Sequence, residues 1–307
     1  MDKKYIKKIE KSFKNHTLCE TIVHALKKRW PLWWISDKNI LSLQLESYAY
    51  KKLKKKYKYI INNAKSEYTL SNKNNKVIWV CWLQGMDNAP KLVQRCYESL
   101  KSNMKGYKIN VITEENMFEY IEIPNYIVTK WKKGIISFAH FSDVIRVNLL
   151  VKYGGVWIDS TVLCTDNLLN NRLENSPLFV YKSIMRGSNV ISASNWFISS
   201  VPKNPILVLV QNLLYEYWKT ENVIIHYYLF HIFFTLATEK YPEIWNKVVS
   251  FNNISPHILV NELNDTFSQE RYDEIKKMSS FHKLNYKIEY LEVENSFYQN
   301  LIIKGRY

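Results

Sequence analysis

The sequence predicts an α/β fold: a mainly parallel sheet flanked by helices, with a basic helical extension at its N-terminal side. Three observations carry this. Between residues 77 and 239, apolar runs of strand length alternate with runs at helical spacing, a pattern that builds a parallel sheet with helices on its faces. Residues 138–161 pass from a helix through a glycine stop into a short buried strand. Composition changes sharply near residue 75. Residues 1–75 hold 18 Lys and Arg against 6 Asp and Glu, a net of +12, and the rest of the 307 residues supplies only +3 of the total +15.

Taken in order, the first segment shows an apolar stripe of Ile6, Ile9 and Phe13 among lysines, then Trp30, Pro31, Leu32, Trp33 and Trp34. A second helix is expected over about residues 40–61, carrying the block KKLKKKYK. A basic amphipathic helix beside a tryptophan cluster can lie on an anionic bilayer. The alternative is that Trp33 and Trp34 pack on the following domain while the lysines face water. The polar stretch SNKNNK at 71–76 marks the boundary, dividing the chain into 1–75 and 76–307. Beyond it, strands are expected at 77–83, 108–112, 156–159, 179–183 and 191–199. Helices are expected at 89–103, 138–153, 204–218 and 226–239.

Composition removes several classes. With 47% apolar and 23% charged residues the chain is not disordered. There are seven glycines and no P-loop or GxGxxG, so a glycine-rich phosphate cradle is not expected. Cys19, Cys81, Cys96 and Cys164 have neither CxxC nor metal spacing, which suits reduced structural thiols in a cytosolic protein. The N-terminus lacks the apolar core of a signal peptide. The longest run without Lys, Arg, Asp or Glu, Asn222 to Thr238, falls short of the roughly 18 residues that a spanning helix needs.

The most informative stretch is FAHFSDVIRVNLLVKYGGVWIDST, residues 138–161. Phe141, Ile145 and Leu149 give a helix one apolar face, and Gly154 can close it with positive φ. Val156, Trp157 and Ile158 suit a buried strand, from whose carboxyl end Asp159, Ser160 and Thr161 emerge. Open α/β sheets bind ligands at that end. Asp143 and Arg146, three apart on the helix, could by themselves be only a surface ion pair.

SDVIR followed by YGGVWIDST resembles the SDxxR…GGxxxDxD signature of glycosyltransferase family 32 and its relatives, most closely the capsular polysaccharide synthesis branch. VIWVCWLQGMDNAPKLVQRCYESL (77–100), SNWFISSVPKNPILVLV and HYYLFH resemble the flanking blocks. The resemblance implies a GT-A type nucleotide-binding fold and transfer of a sugar, with retention of configuration, from a nucleotide diphosphate-sugar to a glycan or lipid-linked glycan. It implies Asp143, Arg146 and Asp159 as the catalytic set. Trp82, Gln84, Gly85, Ser160 and Thr161 would join them in holding the donor, and Asn195 and Trp196 would touch sugar or acceptor. It also implies a divalent metal, Mn²⁺ or Mg²⁺, on Asp159. Here the sequence departs from the pattern, because Thr161 replaces the second acid and a neutral hydroxyl is a weak ligand for a hard cation. His226 is a candidate to make up the missing ligand, although histidines in an apolar run are more often core groups.

Surface polysaccharide synthesis at the cytoplasmic membrane face would fit a basic segment 1–65 resting on anionic lipid. Two other readings stay open. One is a transferase-like protein that binds glycan or nucleotide without turnover. The other, a nucleic-acid-binding protein, has the charge but no recognised module, so no nucleic-acid partner is expected.

Overall fold

A computed structural model describes residues 38–65, 68–71, 73–184, 190–290 and 293–307. Ile6, Ile9, Phe13, Cys19, Trp33 and Trp34 lie outside the described residues. Eight strands are described: β1 (Val77–Cys81), β2 (Lys108–Ile112), β3 (Gly155–Ile158), β4 (Val162–Cys164), β5 (Leu178–Lys182), β6 (Ala193–Ser200), β7 (Phe251–Asn252) and β8 (Phe281–Lys283). Six form one sheet in the order β2-β1-β3-β6-β5-β7. The pairs β1–β2, β1–β3 and β5–β7 are parallel, and β6 runs antiparallel between β3 and β5. β4 and β8 pair as a separate antiparallel ribbon.

The longer helices are α1 (Lys38–Lys56), α2 (Lys91–Asn103), α3 (Asn125–Lys132), α4 (Phe138–Tyr153), α5 (Pro205–Thr220), α6 (Leu229–Lys240) and α7 (Gln269–Met278). The mainly parallel α/β architecture read from the sequence is therefore the observed one, with boundaries within a few residues for the main elements. β4, β7, β8, α3 and α7 were not foreseen. Strands of two or three residues are too short to express a period of two. The expected continuous helix over 40–61 is interrupted: α1 stops at Lys56, Tyr57 is buried, and a separate turn of helix covers Lys58–Asn62.

The sheet has a core on each face. Trp79, Trp157 and Ile198 join the helices α4, α5 and α6 in the larger one. Their strand neighbours Ile78, Val80, Val156, Ile158 and Phe197 point the other way, into a smaller core with Leu100, Val162 and Phe281. Side chains alternate across a strand, so each buried strand feeds both layers. α1 belongs to the larger core: Ala49, Leu53 and Tyr57 are buried there, and the Tyr57 ring meets Phe233 edge-on at 5.6 Å. Its lysines stay at the surface, where Lys54 pairs with Glu239 at 2.7 Å and Lys56 pairs with Glu221.

Two glycines join α4 to β3 with no intervening loop. Ser137 caps the helix at its start, its Oγ accepting from the His140 N–H. At the other end Gly154 and Gly155 have φ of 66° and 90°. A Cβ on Gly154 would lie 2.7 Å from the Ser200 carbonyl oxygen, and one on Gly155 would lie 2.5 Å from that of Val77. Both conformation and space therefore demand glycine. The turn is fastened by Trp79 Nε1, which donates to the Gly154 carbonyl at 2.9 Å. Asn74 both donates to the Gly155 carbonyl and accepts from its N–H.

Cys81, Cys96 and Cys164 are free thiols. Burial pushes the Cys81 thiol up to about 12, which leaves it protonated and inert.

Buried histidines give the fold a pH signature. Burial lowers His231 on α6 and His282 on β8 to about 4, against an ordinary value of 6.5. Between pH 6.5 and 4 the unfolded chain therefore binds protons that the folded chain refuses, and stability falls as pH falls. Each histidine should contribute on the order of 3 kcal/mol across that window. Urea unfolding at pH 7.0, 5.5 and 4.5 tests this. A midpoint that does not move between pH 7.0 and 4.5 would refute it.

Candidate functional site

Parallel pairing brings the carboxyl ends of β1 and β3 to one edge of the sheet, as the topology requires for a site there. Asp159 follows β3 directly. Its N–H donates to the Trp196 carbonyl at 2.8 Å, and its carbonyl accepts from Val162 at 3.0 Å, which closes a tight turn over Ser160 and Thr161.

Arg146, projecting from α4, is the centre of the site and is 3% exposed. Its Nη1 donates to Asp143 Oδ1 at 2.5 Å and its Nη2 to Asp159 Oδ1 at 3.1 Å. The guanidinium lies over two rings, 4.8 Å from the centroid of Trp157 and 5.4 Å from that of Phe230. Such a planar cation can bridge two carboxylates and stack at once, which an ammonium cannot. Trp157 adds a second contact, its Nε1 donating to Asp159 Oδ1 at 2.9 Å. Asn195 donates from Nδ2 to Asp143 Oδ1 at 2.9 Å.

The charges set the protonation of Asp143. Burial alone would push its carboxyl up. Arg146, helped by the neighbouring His140, outweighs this and holds it below the ordinary carboxylate value. Asp143 is therefore a buried anion and not a proton donor near neutral pH.

Asn195 reaches Asp143 because β6 is irregular. Val180 pairs with Ile198 and Lys182 with Ala193, so two steps along β5 match five along β6. Surplus residues of this kind re-aim side chains beside functional sites. Trp196 goes the other way. It is 5% exposed and stacks on Tyr181 with ring centroids 4.8 Å apart. The Trp196 ring thus packs in the core beside Tyr181, while its carbonyl accepts from the Asp159 N–H.

The β1 end carries Trp82, Gln84 and Gly85. Trp82 is half-buried, its ring edge-on to Tyr286 at 5.3 Å, and its indole N–H has no partner among the described residues. Gln84 is exposed, and its carbonyl accepts from Asn88. Gly85 has a φ of 80° with open space where a Cβ would sit, so conformation and not crowding calls for glycine. Ser160 is half-buried and Thr161 is 5% exposed. His226 lies ahead of α6, where its Nδ1 accepts from the Tyr228 N–H at 3.2 Å. Among the described residues no three His, Cys, Asp or Glu side chains come together to hold a metal ion.

Lys283 is the site residue that sequence reasoning missed. β8 pairs with β4 so that Lys283 faces Val162, and the Leu284 N–H donates to the Thr161 carbonyl at 2.8 Å. This places Lys283 Nζ 3.3 Å from Asp159 Oδ2 and lets it donate to Thr161 Oγ1. A single lysine 122 positions after Thr161, in a three-residue strand, carries no local signal. Tyr227 was also missed. It is exposed and stands over His140 with ring centroids 5.6 Å apart.

The sequence profile of the family described as "Capsular polysaccharide synthesis protein" matches residues 28–301. No curated protein matches the chain. A solved structure titled "PaToxG Glycosyltransferase" is 13% identical over 76% of this chain and 95% of that one, with a TM-score of 0.42, too distant to bear on chemistry.

The cluster predicts that Arg146→Lys is disruptive despite keeping the charge. Lysine can satisfy one carboxylate but not both, and losing a charge-assisted bond costs roughly 1.5–3 kcal/mol. Urea unfolding should show a loss of that size. A change below about 0.5 kcal/mol would mean the bridge contributes nothing net.

Proposed function

The chain belongs to the capsular polysaccharide synthesis protein family, and on that premise we propose that it is a GT-A type glycosyltransferase. It would move a hexose, with retention of configuration, from a nucleotide diphosphate-sugar to a glycan or lipid-linked glycan during surface polysaccharide synthesis. The observation that carries this reading is the buried Arg146 bridge between Asp143 and Asp159 at the carboxyl edge of β1 and β3. A charge network fixed in place at the ligand-binding edge of an α/β sheet is suited to orient a polar substrate.

The residues divide the work by exposure. Asp159 and Lys283 are about a quarter exposed, so they can meet the donor. Arg146 and Asp143 are buried and act by holding Asp159 and Asn195 in position. Trp82 offers a ring and a free N–H at the β1 end, where the nucleotide base would lie. In the reaction, the bond between the anomeric carbon and the β-phosphate oxygen breaks with its electron pair on that oxygen. The acceptor hydroxyl oxygen bonds to the anomeric carbon, and its proton leaves with the diphosphate. Positioning and stabilisation of the departing charge would supply most of the rate. No protein nucleophile is assigned.

Asp159→Asn should lower transfer by roughly 100-fold or more while far-ultraviolet circular dichroism stays unchanged. A thermal-shift screen against UDP-, GDP- and CDP-sugars should identify the donor beforehand. Wild-type rates in a folded Asp159→Asn variant would remove the site assignment. A donor that binds but is never transferred or hydrolysed would favour a non-catalytic binding protein instead.

The basic N-terminal segment would bring the enzyme to the anionic inner face of the cell membrane. Among the described residues no helix is long and apolar enough to cross a membrane. Lys51, Lys52 and Lys55 are exposed on the last two turns of α1, and Lys58 at the start of the short helix that follows, on the same segment as Lys54 and Lys56. Deleting residues 1–65 would also uncover the core that Ala49, Leu53 and Tyr57 fill, so glutamines at 51, 52, 55 and 58 make the cleaner variant. That variant should lose most binding to anionic vesicles in flotation assays, and wild-type binding should weaken as salt rises. Equal binding to neutral and anionic vesicles would leave the lysines as a solvated face.

A further inference from the structure

We propose that the ammonium of Lys283 takes the place of a divalent cation at the donor diphosphate, so that donor binding does not require a metal. The inference rests on the transferase reading above, and it assigns the charge-neutralising role to a residue outside the recognised motif.

The starting point is whether the residues present fit a metal. Such a site needs several oxygen ligands with free lone pairs, carboxylates above all. Asp159 is the one carboxylate at the turn, and both its oxygens are engaged. Oδ1 accepts from Trp157 Nε1 and Arg146 Nη2, and Oδ2 pairs with Lys283. Thr161, where a second acid would stand, spends its Oγ1 on Lys283. A positive charge thus already sits between the two side chains that would have to hold the cation. Adding a divalent ion 3–4 Å from an ammonium is repulsive. The donor set does not fit a hard cation.

The same geometry fits a phosphate. Lys283 is fixed by the β4–β8 ladder and by the Leu284 N–H bond to the Thr161 carbonyl, so its stem is anchored at both neighbours. An ammonium carries three donors. One is given to Thr161 and one is directed at Asp159, and no partner among the described residues takes the third. The side chain is 23% exposed, so that N–H can face the solvent where the donor would arrive. Lysine binds phosphate as a compact point charge. When the anomeric bond breaks and its electron pair settles on the β-phosphate oxygen, this N–H can donate to the oxygen that gains the charge. The proton stays on Lys283, and no electrons move through it.

Three measurements test the proposal. Mn²⁺ is titrated by calorimetry into EDTA-stripped wild type and into the double variant Thr161→Asp, Lys283→Ala. We expect no tight binding to the wild type and at least roughly tenfold tighter binding to the double variant. Binding of UDP, GDP, CDP and inorganic pyrophosphate is then measured in EDTA. At least one should bind the wild type. Lys283→Met, which keeps the aliphatic stem, should weaken that binding at least about tenfold, and Lys283→Arg should recover part of it.

Wild-type binding that appears only with Mn²⁺, or a Lys283→Met variant that binds unchanged in EDTA, overturns the role of Lys283 and leaves the transferase reading standing. Failure of every nucleoside diphosphate to bind, with or without Mn²⁺, overturns both.

Discussion

A guanidinium that is 3% exposed can exist in this interior only because two carboxylates and two aromatic rings surround it. Desolvating Arg146 is expensive, and removing any one partner would leave a buried charge uncompensated. The arrangement ties α4, β3 and α6 to one point, since Asp143 and Arg146 come from the first, Trp157 and Asp159 from the second or its end, and Phe230 from the third. The two-glycine turn makes this possible. With no loop between α4 and β3, the distance from Arg146 back along the helix and forward to Asp159 is set by regular geometry alone. A longer connection would let the two carboxylates drift apart.

Much of this was legible in the sequence, because the informative residues are local. Helix, glycine turn, strand and terminal acid all fall within residues 138–161, and each has a periodic or steric signature that a reader can test. The main strands and helices followed for the same reason. What could not be read depends on pairing between distant segments. Lys283 enters through a register between two three-residue strands. Trp196 changes face because β6 carries extra residues relative to β5. The break at Tyr57 arises because a ring facing Phe233 and Tyr217 is buried at the cost of helical continuity. None of these leaves a trace in local spacing.

Thr161 reads differently in context. From sequence it is a lost ligand. In the fold its hydroxyl accepts from Lys283, and its backbone carbonyl anchors the strand that carries that lysine. Thr161 and the basic residue beside it therefore occupy one hydrogen-bonded unit. An acid at position 161 would place a second carboxylate, beside that of Asp159, against the same ammonium.

The surplus in β6 has a consequence for how this chain can change. Between Ala193 and Ile198 the strand holds more residues than its partner can pair, so some ladder bonds are forgone there. Deleting residues from that interval would give a longer, more regular sheet, and ladder bonding would improve. It would also swing the amide of Asn195 off Asp143 and bring an indole or a serine under the acid. Shortening and substitution thus act on different properties at this site. Selection for heat resistance alone would favour losing residues here, and the lineages that did so would hold a sturdier sheet with a disarranged charge network.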